Sequence, residues 1–226
     1  TTFEHNLLYV SILTSEKKSY EALGDGLRNN NSAINGWVKT KENKLIYSGG
    51  NIITSLDITN GIHIIDWTIL LDGNNNMSAP FYLNDALFQG LSNGGLIRLN
   101  PKNGDEIWAK NIPNKNINNL VCISANDEFI FSTLSSEEPI HGKKVESRLV
   151  KLSIENGNIH WDVPIDSAVL DQAAILDDLV LVPINSGGIH AYDASSGNLL
   201  WKSQTKYPVM SKPLIHKNNV IYGDFN

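Results

Sequence analysis

Gly90-Leu91-Ser92-Asn93-Gly94 has the G-x-S-x-G spacing that exposes a nucleophilic serine when it forms a strand-to-helix turn. Here the pentapeptide joins one apolar strand to the next, so the sequence predicts a strand-to-strand connection and no nucleophile. Asp72-Gly73-Asn74-Asn75-Asn76 opens like a calcium loop, but Met77 stands at the sixth position and Leu83 at the twelfth. Those residues supply neither the sharp turn nor the bidentate carboxylate, and a plain connecting loop is expected. The six histidines, at 5, 63, 141, 160, 190 and 216, fall at no metal-ligand spacing. His63 and His160 follow turn glycines and read as strand-surface residues. Cys122 is alone between Val121 and Ile123, which excludes an internal disulfide and reads as an inert buried thiol. The expectation from these residues is a chain with no catalytic set, no metal and no cofactor.

Composition narrows the classes further. The 226 residues are 41% hydrophobic and 19% charged, enough for a full core. The net charge is −6 and arginine occurs only at 28, 98 and 148, which argues against nucleic acid, whose phosphates need clustered cations. No apolar run approaches 18 residues, so no transmembrane helix is expected. The sequence opens on Thr1 without a signal peptide, which says nothing about targeting.

The elements that must carry any site repeat along the chain. Gly188 to Trp201 reads GIHAYDASSGNLLW: a short alternating strand, a polar turn, then a strand ending on a large aromatic. Ser55 to Trp67, Ile97 to Trp108 and Val150 to Trp161 have the same layout. The turn openers Asp57, Asn100, Ser153 and Asp193 each lie four residues before a glycine, at 61, 104, 157 and 197. Asp, Asn and Ser hold such turns by bonding the backbone two residues on, and glycine supplies positive φ. Trp108, Trp161 and Trp201 lie four beyond the glycine. In the first copy Ile65 takes that place and Trp67 follows two later, which keeps the ring on the same face one pleat further on. The glycines recur at intervals of 43, 53 and 40 residues. Repeats of that length with four strands each are the mark of propeller blades.

The pattern aliphatic-x-Leu/Tyr-Asp-x-x-x-Gly-x-x-x-Trp resembles the PQQ-like β-propeller repeat, the tryptophan-docking repeat of quinoprotein dehydrogenases and BamB-type scaffolds. The resemblance covers about Lys44 to Asn226. It implies an all-β fold, a propeller of four-stranded antiparallel blades. It also implies a structural role for Asp57, Gly61, Trp67, Asn100, Gly104, Trp108, Ser153, Gly157, Trp161, Asp193, Gly197 and Trp201. Each tryptophan is expected to be buried between neighbouring blades, with its indole N–H on a backbone carbonyl.

A polar pair followed by an apolar strand occurs six times, at 5–13, 43–48, 84–90, 126–132, 177–182 and 218–223. These are read as the A–B turn and strand B of successive blades, with strand A before them, as in Pro80 to Leu83 and Pro213 to His216. Residues 1–41 are a degenerate first blade without a docking tryptophan, and 42–226 are the repeats. The first blade's C and D strands are sought in Ser19 to Arg28. An amphipathic helix over Glu16 to Arg28 is weakened by Gly24 and Gly26. Trp37 falls only six residues before Asn43 and is placed on an inner strand A, where it can line the central channel. Five blades and the start of a sixth do not close a ring, so a full ring of six to eight blades is expected, with part of it outside this sequence.

Two function classes follow from the resemblance: a BamB-like scaffold that organises protein partners in the bacterial envelope, or a PQQ- and calcium-dependent dehydrogenase. The alcohol-oxidising members carry an adjacent cysteine pair beside the cofactor, and this chain has one cysteine. Their catalytic Asp and calcium-ligand set has no match here. The scaffold is favoured, with a periplasmic or other extracytoplasmic location, and any membrane attachment is expected through a lipid anchor not in this chain. A ligand-sensing propeller domain is a third reading. The two long connections, Thr14 to Ser19 (extending toward Arg28) and Ser135 to Ser147, both join strand B to strand C and so emerge on one face. Partner contact is expected there, through Glu137, Glu138, Ile140, Lys143, Lys144 and Arg148, with Trp37 as the channel candidate.

Overall fold

In the computed structural model of the protein, the structure describes residues 6–10, 17–21, 34–60, 64–71, 78–112, 119–136, 147–217 and 219–225. Four four-stranded antiparallel sheets follow one another along the chain, flanked by two two-stranded ones. The first hairpin pairs β1 (Asn6–Val10) with β2 (Lys17–Glu21). Sheet I holds β3 (Ile34–Lys39), β4 (Lys44–Gly49), β5 (Ile52–Asp57) and β6 (Ile64–Leu70). Sheet II holds β7 (Phe81–Leu83), β8 (Ala86–Gly90), β9 (Leu96–Leu99) and β10 (Glu106–Lys110). Sheet III holds β11 (Asn119–Ala125), β12 (Phe129–Ser136), β13 (Ser147–Ser153) and β14 (Ile159–Ile165). Sheet IV holds β15 (Ala174–Leu176), β16 (Leu179–Pro183), β17 (Ile189–Asp193) and β18 (Leu199–Lys202). The last hairpin pairs β19 (Leu214–His216) with β20 (Asn219–Ile221). In each four-stranded sheet the spatial order is the chain order. The first strands of successive sheets lie against one another, β3 on β7, β7 on β11, β11 on β15 and β15 on β19. They form the inner side of the arrangement, and β6, β10, β14 and β18 the outer. This is a β-propeller.

The polar pairs make the hairpins. Asn84 and Asp85, the two loop residues between β7 and β8, both have positive φ, as do Asp177 between β15 and β16 and Lys217 between β19 and β20. Two-residue hairpins need left-handed φ, and Asn and Asp tolerate it best among side-chain-bearing residues.

The core lies between sheets. Side chains alternate across each strand, so a middle strand feeds two layers. In β8, Leu87 joins Ile46, Ile53 and Trp67 of sheet I, while its neighbour Phe88 joins Val121, Ile130 and Val150 of sheet III. Phe131 and Leu149 of sheet III pack on Val180, Val182 and Tyr192 of sheet IV. Ala174, Leu181 and Ala191 of sheet IV meet Ile215 and Val220 of the last hairpin. Burial of both faces explains why β8 and β16 read as apolar runs without alternation.

The structure corrects three local expectations. Residues 17–21 are a strand and not part of a helix, in line with the helix-breaking glycines that follow them. Because β2 starts at Lys17, the connection after β1 is only 11–16, so Ser136 to Ser147 is the one long connection of the two. Trp67 is not displaced by a pleat. It lies opposite Ser55, two residues before its turn opener, as Trp108 lies opposite Arg98, Trp161 opposite Lys151 and Trp201 opposite Ala191. The two extra residues sit in the turn: Asp57 pairs with Ile64, whereas Asn100, Ser153 and Asp193 close on Asp105, Asn158 and Asn198.

Candidate functional site

The recurring site is a socket built by the C–D turn. Side chains of the turn openers accept backbone N–H groups two residues on: Asp57 Oδ1 from Thr59 (2.9 Å), Asn100 Oδ1 from Lys102 (3.0 Å), Ser153 Oγ from Glu155 (3.2 Å) and Asp193 Oδ1 from Ser195 (3.1 Å). The Thr59 N–H, its largest influence, holds the Asp57 carboxyl down at about 2, and the Ser195 and Ser196 hydroxyls hold that of Asp193 down at about 2. Locking the turn fixes the carbonyl of the next residue and points it backward along the chain of sheets. Trp67 Nε1 donates to Pro101 O (3.0 Å), Trp108 Nε1 to Ile154 O (3.0 Å) and Trp161 Nε1 to Ala194 O (3.2 Å). The turn glycine meets the same ring. A Cβ on Gly104, Gly157 or Gly197 would stand 2.8–2.9 Å from ring atoms of Trp67, Trp108 and Trp161 respectively, and each glycine has positive φ. The glycine thus serves both the turn and the packing, and only the first role is visible in a single repeat.

Two sockets hold a second donor that the sequence pattern did not flag. Arg98 Nη1 reaches Ile154 O (3.0 Å) beside Trp108, and Lys151 Nζ reaches Ala194 O (2.9 Å) beside Trp161. Lys151 lies 3.7 Å from the Phe129 ring centroid, and its burial lowers its pKa. Both cations stand two residues before a turn opener, the position of Ser55 and Ala191 in the other repeats.

Trp67 is buried as expected, Trp108 and Trp161 are half-buried, and Trp201 departs furthest from the expected burial. It is 42% exposed, because the strands after it, β19 and β20, bring no C–D turn against it among the described residues. Gly61 lies outside the described residues.

The partner-contact residues divide. Glu137, Glu138, Ile140, Lys143 and Lys144 lie outside the described residues, as do His141 and Asp72 to Asn76. Arg148, on β13, makes a two-pronged pair with Asp162 of β14 (2.8 and 2.6 Å). The stem below the connection is well tied: Ser135 and Ser147 hydroxyls meet at 3.0 Å, and Ser135 Oγ accepts from Val169 N (2.9 Å). Trp37 lies on β3 opposite Tyr47 and is 64% exposed. The structure does not bring Trp37 and Arg148 together: they lie on sheets I and III.

The remaining chemistry candidates resolve plainly. Gly90 to Gly94 connects β8 to β9, strand to strand, as its surroundings in the sequence require. Cys122 is half-buried on β11, and desolvation, then the charge of Asp171, push its thiol up to about 12, which leaves it unreactive. His160 is exposed on β14 with its ring edge-on to Phe129 at 4.9 Å. His190 is buried on β17 with Nδ1 3.9 Å from Asp166, whose other oxygen takes Lys202 Nζ at 2.9 Å. Among the described residues no group of histidine, cysteine and carboxylate side chains is placed to hold a metal, and no helix is long and apolar enough to cross a membrane.

Sheets of four strands in chain order, the first three each handing a tryptophan to the turn of the next, define a β-propeller whose repeats are similar to the PQQ-like repeat. Residues 145–224 match the profile of the family described as outer membrane protein assembly factor BamB. The outer membrane protein assembly factor BamB of Shewanella oneidensis is 22% identical over 105 residues, which are 46% of this chain and 27% of that protein. Among solved structures, BamB from Moraxella catarrhalis superposes with a TM-score of 0.59 at 12% identity, over 88% of this chain and 59% of that one. Quinohemoprotein alcohol dehydrogenase from Comamonas testosteroni gives 0.63 at 11% identity, over 83% of this chain and 38% of that one. The chain therefore spans between about a quarter and three fifths of the length of these relatives, and the solved structures share the fold with it.

Proposed function

We propose that the chain is a non-catalytic protein-binding scaffold of the BamB type, acting in the bacterial envelope on the periplasmic side. It holds a partner polypeptide on the face that carries the B–C connections. The observation that carries this reading is the shape of sheet III. Its strands β12, β13 and β14 run eight, seven and seven residues, against five, four and five for β8, β9 and β10 and five, five and four for β16, β17 and β18. At about 3.3 Å per residue, sheet III outreaches its neighbours by roughly 7–10 Å. The extra length leads to the 137–146 connection, which mixes Glu137, Glu138, Lys143 and Lys144 with Pro139 and Ile140. Charges give such a surface its partner preference and the apolar residues an anchor. The buried Ser135–Ser147 hydroxyl pair fixes the stem from which it springs.

Placing a photo-crosslinking residue at Ile140, and another at Thr59 on the opposite face, tests this in envelope extracts. Crosslinks to a discrete protein from position 140 and none from 59 are expected. Replacing 137–146 with a short Gly-Ser turn should abolish them while the melting temperature barely moves, because loop length contributes little, about 0.6 kcal/mol per doubling. Crosslinking that survives the replacement overturns the placement. Titration with PQQ and calcium should leave the absorbance unchanged, and PQQ-dependent dye reduction would overturn the non-catalytic reading.

A further inference from the structure

The turn glycine follows an asparagine in three of the four repeats: Asn60-Gly61, Asn103-Gly104 and Asn156-Gly157, with Ser196-Gly197 the fourth. An Asn-Gly bond sets an electrophile, the side-chain carbonyl carbon Cγ, next to a backbone nitrogen that no side chain shields. The two of these turns described in full are those at 103 and 156, where the asparagine is exposed and the glycine buried. Each amide is curled back over the bond to its glycine: Asn103 Oδ1 accepts from Asp105 N (3.2 Å) and Asn156 Oδ1 from Asn158 N (2.9 Å). The nucleophile is what the closed turn withholds. Gly104 N–H donates to Asn100 O at 2.8 Å and Gly157 N–H to Ser153 O at 3.0 Å, which keeps the proton on the nitrogen. Each closed turn carries a ring from the preceding sheet. Trp67 stands on Gly104 with Nε1 on Pro101 O, and Trp108 on Gly157 with Nε1 on Ile154 O. Asn93-Gly94 has the same chemistry in the turn between β8 and β9, outside these sockets, with Gly95 N–H on Asn93 Oδ1 (2.8 Å) and Gly94 N–H on Leu91 O (2.9 Å).

We propose that Asn103 and Asn156 are deamidation sites gated by tryptophan docking. When the ring leaves and the turn opens, the glycine nitrogen gives its proton to hydroxide and attacks Cγ of the asparagine. A C–N bond forms, and the side-chain nitrogen takes a proton from water and leaves as ammonia. Water then adds to either carbonyl of the resulting five-membered imide and opens it to aspartate or isoaspartate, with no change of oxidation state. The product resists reclosure. Isoaspartate routes the main chain through the former side chain and lengthens it by one methylene, so the spacing from turn opener to glycine is lost. At 103 the new carboxylate also replaces the Nδ2 that donates to Asp105 Oδ2, which sets two like charges together. Each conversion thus marks a junction that has opened. The inference is independent of what the protein binds.

The test incubates the whole chain in mildly alkaline buffer, native and in guanidinium chloride. Aspartate and isoaspartate at each Asn-Gly bond are followed by peptide mapping with mass spectrometry. Conversion at Asn103 and Asn156 should be at least tenfold slower in the native chain. The slowing at each site should match the protection of the Gly104 or Gly157 N–H against hydrogen exchange, because both reactions pass through the same opening. Trp108→Ala should speed conversion at Asn156 at least tenfold and leave Asn103 and Asn93 unchanged. Trp67→Ala should speed Asn103 and leave Asn156 unchanged. Circular dichroism records whether each variant is folded. Equal rates in native and denatured chains overturn the proposal, as does native conversion faster than glycine N–H exchange allows. So does a folded variant in which all three asparagines speed up together, which assigns the protection to global stability. If a variant does not fold, the exchange comparison on the unaltered chain decides alone.

Discussion

Trp161 and Trp201 stand at the same register of the same motif, each four residues beyond a turn glycine. One is docked, with Nε1 on Ala194 O and its ring against Gly197. The other is 42% exposed. The difference lies outside the tryptophan and its own repeat, in the strands that come next along the chain. After β14 comes sheet IV with its locked turn, and among the described residues β18 is followed by β19 and β20 without such a turn. The motif read along the sequence is therefore two half-sites. The tryptophan serves the junction ahead of it, and the Asp/Asn/Ser opener, the carbonyl and the glycine serve the junction behind.

The largest test of this division compares the two rings directly. Trp161→Ala should destabilise by about 3–5 kcal/mol, the usual cost of deleting a packed aromatic. Trp201→Ala should cost less than about 1 kcal/mol, as for an exposed residue. Urea unfolding with matched m-values reads both. Equal losses would show that Trp201 is covered in solution. Next in size, the receiving half can be broken alone. Gly157→Ala meets the Trp108 ring at 2.9 Å from a backbone with φ of +68°, and should cost about 1–3 kcal/mol. Gly223→Ala, with nothing within 4 Å, is the control and should be near neutral.

A third test addresses the donor that the motif does not contain. Lys151→Met keeps the stem and removes the bond to Ala194 O, for an expected loss of about 1–2 kcal/mol. Because Trp161 uses the same carbonyl, the double variant with Trp161→Ala should depart from additivity. Additive losses would mean that the two donors act independently.

The fold was legible because its signals are local. Polar pairs such as Asn84-Asp85 announce a hairpin through their tolerance of positive φ, and the Asp193 to Gly197 turn carries its own hydrogen bonds. What could not be read was set by neighbours in space. The carbonyls of Pro101, Ile154 and Ala194 have no side-chain signature, and the second role of Gly157 appears only with the Trp108 ring in place. Arg98 and Lys151 looked like ordinary strand residues. Their shared position two before the turn opener was the available signal. Trp67 shows the opposite limit: counting residues moved it by a pleat, whereas pairing restores it, because a lengthened turn leaves strand register untouched. For partner contact, composition marked the connection Ser135 to Ser147, but its trimming to 137–146 and the greater reach of sheet III depend on strand ends that turn signals do not fix.

The smallest expected effect singles out the covered junction by pH. His190 is buried between sheets III and IV, and its Nδ1 has no hydrogen-bond partner among the described residues. Asp166 lies 3.9 Å away but its carboxylate is held by Lys202 at 2.9 Å. Tyr192 is the neighbouring ring, at 6.3 Å between centroids. Burial lowers the His190 pKa first and the Lys202 charge adds to this, while Asp166 opposes both. With the folded pKa below the unfolded value of about 6.5, the unfolded chain binds more protons in the window between them. The contribution is thus fully present above about pH 6.5 and is lost as pH falls through the folded pKa. His190→Gln should flatten the slope of stability against pH between about 7 and 5. It should do so equally in a Trp201→Ala background, since that ring faces away from the junction His190 occupies. A slope unchanged by His190→Gln assigns the acid sensitivity elsewhere. A slope that becomes steeper would mean that Asp166 outweighs burial, and that acid tightens this junction instead of loosening it.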